Sequence, residues 1–147
     1  MSDTKTRILI VDDDRSVRTS MAMALAEIGY CVRTAYDGAS ALEDIPEHLP
    51  DILLSDLNMP GISGFELLTV VRRRFPKMLT VAMSGAFHGN EVPSGIVADA
   101  FYQKGSSIAS LVMILNSLPQ KDRTRKQTPQ SHECEEMPRS FGLSQFN

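Results

Sequence analysis

The sequence has 147 residues, 42% of them hydrophobic and 22% charged, which fits one globular domain of roughly 120 residues with a tail and excludes a two-domain enzyme, a collagenous chain or a chain too polar to bury a core. Lys and Arg number 15 against 18 Asp and Glu, a formal net charge of −3. No basic excess points to nucleic acid or to an anionic membrane surface.

The polar start, Met1 to Arg7, leads straight into an apolar run, and the apolar runs are short, so neither a signal peptide nor a membrane span is expected. Cys31 and Cys134 are far apart and show neither a disulfide framework nor a CxxC pair, which fits a reducing compartment. A cytoplasmic location with no membrane partner is therefore expected.

Arg7 to Asp12 (RILIVD) is an apolar run ending in acid, and it predicts a first strand. A helix follows, with Val17, Met21, Ala24, Leu25 and Ile28 on one face and Gly29 placed to end it. Tyr30 to Tyr36 predicts a second strand, Asp37-Gly38 a turn, and Ala39 to Ile45 a short helix halted by Pro46. Asp51 to Asp56 (DILLSD) again runs apolar into acid. Phe65 to Arg74 predicts a helix burying Leu67, Leu68 and Val71, and Met78 to Ser84 a fourth strand.

Between Gly85 and Asp99, Gly89, Pro93 and Gly95 interrupt any helical pattern, so a short or broken helix is expected. Ala100 to Gln103 predicts a fifth strand. Ser106 or Ser107 can cap a last helix with Ile108, Leu111, Val112 and Leu115 on one face. Strands alternating with helices imply βαβ units and a parallel three-layer α/β sheet, and continuous apolar strands imply burial on both faces. From Pro119 the composition turns polar, so a domain over residues 5–118 and a disordered tail over 119–147 are expected. Phe141, Leu143 and Phe146 are the tail's candidates for docking on a partner.

In open parallel sheets, sites form beyond the carboxyl ends of the strands. Here the first strand ends in Asp12-Asp13-Asp14, the third in Asp56 and the fourth in Ser84, while Lys104 follows the fifth. If the first and third strands are neighbours, their carboxylates converge and need a cation or a proton to offset repulsion, and hard oxygen ligands suit Mg²⁺. A hydroxyl and an ammonium across the same pocket suit a bound anion such as a phosphoryl group. Singly, each residue has a plainer reading, with Asp14 a helix cap, Ser84 a loop residue and Lys104 a surface lysine. Their joint placement at one end of successive strands is what points to a site.

At these residues the sequence resembles the receiver domain of two-component response regulators. The matching segments are ILIVDDD at 8–14, DILLSDLNMPGISGFEL at 51–67, VAMSGA at 81–86 and FYQKG at 101–105. The second carries Asp-x-x-Met-Pro-x-x-x-Gly, the most specific of the motifs. The resemblance, which spans residues 5–118, implies a flavodoxin-like, doubly wound five-stranded parallel sheet of order 2-1-3-4-5. About five helices are implied, the fourth short or broken in this chain.

By the same resemblance Asp56 is the phosphoacceptor, and Asp12, Asp13, Asp56 and the main-chain carbonyl of Asn58 hold Mg²⁺. Ser84 and Lys104 contact the phosphoryl group, and Tyr102 is the switch aromatic, expected to turn inward from a solvent-facing rotamer. The implied function is a single-domain switch of the chemotaxis type rather than an enzyme. It takes phosphoryl from a sensor histidine kinase or a histidine phosphotransfer protein, binds a downstream protein and makes no direct contact with DNA.

Two departures stand out: Gly105 follows Lys104 where the family usually has proline, and the segment from Ser84 to Lys104 is short. They keep open a phosphorylation-independent scaffold. A phosphatase with an Asp nucleophile is the remaining alternative, but it needs a second Asp where this chain has Asn58. Arg72-Arg73-Arg74 is expected to favour a helix C-terminus, and His48, His88 and His132 lack metal-ligand spacing.

Overall fold

The computed structural model describes residues 5–85 and 97–119. In chain order these form β1 (Arg7–Val11), α1 (Arg15–Ile28), β2 (Cys31–Ala35), α2 (Gly38–Asp44) and β3 (Ile52–Asp56). Then come α3 (Gly64–Arg74), β4 (Leu79–Ser84), β5 (Ala100–Gln103) and α4 (Ile108–Asn116). The strands form one parallel sheet of order β2-β1-β3-β4-β5, as the sequence implied. Four helices lie among the described residues. The irregular helix expected after β4 falls on residues 86–96, outside the described residues, as does the expected tail beyond residue 119.

Burial on both faces explains the apolar strands. Every residue of β3 and β4 is buried. On one face, Ile8, Ile10, Leu54, Val81 and Met83 pack against Met21, Ala22 and Leu25 of α1 and Leu111 and Leu115 of α4. On the other, Leu9, Val11, Leu53 and Ala82 pack against Ala41 of α2 and Leu67, Leu68 and Val71 of α3. Burying each of the larger aliphatic side chains stabilises the fold by about 1.5–3 kcal/mol.

The helix ends are fixed locally. Asp14 caps α1 by accepting from the Ser16 and Val17 N–H groups at 2.9 and 3.3 Å. The Ser16 hydroxyl, which also donates to it, and then those N–H groups hold its carboxyl below the usual range. Gly29 ends the helix with φ +122°, donating to the Leu25 and Ala26 carbonyls. Ser63 and Glu66 form a reciprocal capping box that starts α3 one residue earlier than the apolar period indicated.

Of the three arginines ending α3, Arg72 pairs with Asp99 at 3.3 Å and Arg74 lies over the Phe75 ring. Those intramolecular roles account for two of them. His48 pairs with Asp44 at 3.1 Å, while His88 and His132 lie outside the described residues.

Cys31 is buried in β2, and Cys134 lies outside the described residues. Among the described residues, no helix is long and apolar enough to cross a membrane.

Candidate functional site

The chain leaves β1 towards β2 on one side, while β3 joins β1 on the other, so the order of strand addition reverses between β1 and β3. Val11 stands in register with Ser55, and the next residue on each strand is therefore an aspartate. Asp12, Asp13 and Asp56 each offer an oxygen, and these oxygens lie within 4.8 Å of one another. Asp12 and Asp56 are buried while Asp13 is exposed, which leaves one side of the cluster open to water.

Lys104 closes the opposite side. Its Nζ lies 3.0 Å from Asp12 Oδ2 and 3.5 Å from Asp56 Oδ2. Burial alone would lower the lysine pKa, but the close contact and charge of Asp12, with the charge of Asp56, raise it. Asp56 is pushed up, first by burial and then by the Asp12 charge, with Lys104 and the Asn58 N–H offsetting part of the shift.

The carboxylates are held by main-chain groups. Asp12 Oδ1 accepts from the Asp14 N–H at 2.9 Å, and Asp56 Oδ1 from the Asn58 N–H at 3.4 Å. Arg18 donates to the Asp12 carbonyl at 2.9 Å. No local pattern in the sequence announces this role for Arg18, because the contact depends on how α1 folds back over β1.

Although Asp12 Oδ2 is within ion-pair reach of Lys104, no donor is aligned on it as a hydrogen bond. A buried carboxylate oxygen with unused lone pairs, beside two further carboxylates and facing water on one side, fits a hard divalent cation that keeps part of its hydration. The donor set is all oxygen, which favours Mg²⁺ over softer metals.

Gly64, the last residue of the Asp-x-x-Met-Pro-x-x-x-Gly motif, explains the motif's spacing. A Cβ there would collide with the Asp56 carbonyl oxygen and with Leu57 Cα, so glycine is what lets α3 start against the end of β3. Gly64→Ala is expected to lower stability by roughly 1–3 kcal/mol and to displace the Asp56 main chain. Urea unfolding with an unchanged midpoint would contradict this close approach.

Ser84 is buried at the end of β4, and its carbonyl accepts from the Lys104 N–H at 3.1 Å. Strand side chains alternate, so Ser84 shares a face with Ala82, which packs with Phe101. Tyr102 is on the other face, with Met83, Leu111 and Leu115. It is 5% exposed rather than solvent-facing, and its hydroxyl donates to the Ser106 carbonyl at 2.5 Å. The expected solvent-facing rotamer of Tyr102 is thus corrected: Tyr102 is already inside, and strand alternation puts it on the other face of the sheet from Ser84. Burial raises its phenol pKa and keeps it a donor.

The family model described as "Response regulator receiver domain" matches residues 8–112. Over 77 residues the chain is 39% identical to the DNA-binding transcriptional regulator NtrC of Escherichia coli, covering 52% of this chain but 16% of that protein. The solved structure of the chemotaxis protein CheY4 of Vibrio cholerae superposes with TM-score 0.71 at 26% identity, covering 78% of this chain and 99% of that one. The Thermotoga maritima response regulator TrrA, solved in complex with Mg²⁺-BeF, gives TM-score 0.71 at 29% identity, covering 78% and 99% of the two chains. TrrA has also been solved bound to the histidine kinase ThkA, where TM-score is 0.69 at 28% identity and coverage is 76% and 96%.

Proposed function

The chain belongs to the receiver-domain family of response regulators, and on that premise we propose that it is a phosphorylation-dependent signalling switch with Asp56 as phosphoacceptor. The observation that carries this reading is the convergence of Asp12, Asp13, Asp56 and Lys104 where the strand order reverses. The domain spans residues 5–118, followed by a polar tail over 119–147.

An Asp56 carboxylate oxygen attacks the phosphorus of a phosphohistidine on a sensor kinase or phosphotransfer protein. The O–P bond forms as the N–P bond breaks, and the released imidazole nitrogen takes up a proton. Lys104 keeps Asp56 ionised before transfer and neutralises phosphoryl oxygens during it. Ser84 supplies a hydroxyl donor from the end of β4. Asp12, Asp13, Asp56 and the Asn58 carbonyl would hold Mg²⁺, which supplies further positive charge when bound. A kinase partner follows the precedent of TrrA with ThkA. Output is contact with a downstream protein in the cytoplasm, without direct DNA binding and without turnover of an external substrate.

The test is intact-mass spectrometry after treatment with acetyl phosphate, in Mg²⁺ and in EDTA. Gain of one phosphoryl group in Mg²⁺ only is expected. No gain under either condition would favour a phosphorylation-independent scaffold.

Asp13→Ala tests the metal assignment. Asp13 is exposed, so its removal leaves the core untouched while deleting a charged ligand from a site with few of them. Affinity for Mg²⁺ by calorimetric titration should fall at least about tenfold, or about 1.4 kcal/mol. Unchanged affinity would remove Asp13 from the ligand set.

A further inference from the structure

Among the described residues, few main-chain bonds span the loop that delivers Lys104. The chain leaves β5 at Gln103 and reaches the α4 cap, Ser107, through Lys104, Gly105 and Ser106. Gly105 has φ +96°, a left-handed conformation that glycine reaches easily but leaves just as easily, since it has the largest backbone freedom to lose on ordering. Two main-chain bonds span this turn: Lys104 N–H to the Ser84 carbonyl and Ser106 N–H to the Gln103 carbonyl, both at 3.1 Å.

A third tie comes from a side chain. The Tyr102 hydroxyl reaches from β5 across the loop to the Ser106 carbonyl at 2.5 Å and lies 3.4 Å from the Ser107 carbonyl. Its ring is fixed in the core between Met83 of β4 and Leu111 and Leu115 of α4. The anchor is therefore buried, and its bond lies on the far side of Gly105 from Lys104. Ser107 in turn caps α4 by accepting from the Ser110 N–H at 3.1 Å. A phenylalanine would fill the same apolar space, so the hydroxyl is the feature that packing does not require.

We propose that Tyr102 is a positioning residue for Lys104: its hydroxyl clamps the glycine-hinged loop between β5 and α4, and so holds the Lys104 ammonium on Asp12 and Asp56. The consequence for phosphoryl transfer rests on the function proposed above; the clamp itself does not.

Tyr102→Phe in the full chain keeps the ring and deletes the bond. Uptake of phosphoryl from acetyl phosphate at saturating Mg²⁺ should slow roughly three- to tenfold, the range expected for losing one hydrogen bond that orders a reacting group. Amide exchange over residues 104–107, measured without phosphate donor, should accelerate in the variant. A double-mutant cycle with Lys104→Ala separates positioning from packing. If Tyr102 acts through Lys104, adding Tyr102→Phe to Lys104→Ala slows uptake no further. The same cycle read by urea unfolding, which needs no phosphorylation, should show the two substitutions coupled rather than additive.

Where Lys104→Ala takes up too little phosphoryl to time, the unfolding cycle decides. Wild-type exchange and uptake in Tyr102→Phe, or additive effects in the cycle, would overturn the clamp. Absence of uptake in the wild type would instead refute the phosphoacceptor reading, and exchange and unfolding would still decide the role of Tyr102.

Discussion

Asp56→Asn is expected to fold normally and to accept no phosphoryl group under conditions that fully load the wild type. The amide is nearly isosteric with the carboxylate but is not a nucleophile towards phosphorus, so the loss should be complete rather than partial. The same substitution should raise the thermal midpoint in Mg²⁺-free buffer at neutral pH. Burial and the Asp12 charge raise the Asp56 pKa above its ordinary 3.8. A carboxyl raised in the folded state contributes stability that is present below 3.8 and lost as pH rises through the folded value. At neutral pH the wild type therefore carries a penalty that asparagine lacks, and the gap between the two proteins should close on acidification towards 3.8. Melting curves across that window check the sign, and a variant less stable than wild type at neutral pH would contradict it.

Lys104→Ala should have the second-largest effect. Its ammonium is the counter-charge that the structure provides for Asp12 and Asp56, at 3.0 and 3.5 Å. Removing it leaves two buried carboxylates facing each other. Breaking a fully buried pair costs roughly 3–5 kcal/mol, and since the Lys104 side chain is 24% exposed a loss of about 2 kcal/mol is expected after allowing for screening.

Mg²⁺ should restore much of that stability, because a cation bound by the same carboxylates replaces the missing charge. Above pH 10.5 the comparison reverses in form. The raised Lys104 pKa means its stabilisation is fully present below 10.5 and lost as pH rises through the folded value, so only the wild type should weaken there. Denaturant titrations with and without Mg²⁺ read these differences. A variant as stable as wild type in EDTA would show that Lys104 does not neutralise the pair.

The fold was legible because its strands are buried on both faces, which writes RILIV, DILLS and LTVAMS as apolar runs that no amphipathic helix would carry. The acidic cluster was legible for a related reason. Strand ends are marked in the sequence by the last apolar residue, and a parallel sheet brings those ends together. Ser63 and Glu66 could have been found from their Ser-x-x-Glu spacing.

Tyr102 was misplaced for a geometric reason. Side chains alternate along β5, so a shift of one residue moves an aromatic from one face of the sheet to the other. Phe101 lies on the Ser84 side, fully buried, and Tyr102 on the side of α1 and α4. The resemblance alone put Tyr102 in the place of the switch aromatic, whereas its hydroxyl bonds the loop that follows Lys104. Arg18 was illegible because its bond to the Asp12 carbonyl exists only once α1 has docked.

The central claim is that Asp56 carries the phosphoryl group, and its most direct test is to locate the acyl phosphate chemically. After acetyl phosphate and Mg²⁺ treatment, borohydride reduction converts a phosphorylated aspartate to homoserine, which peptide sequencing by mass spectrometry places. Homoserine at position 56, lost when Mg²⁺ is withheld, is the predicted result. Homoserine at Asp12 or Asp13 instead, or at no aspartate of the chain, would contradict it.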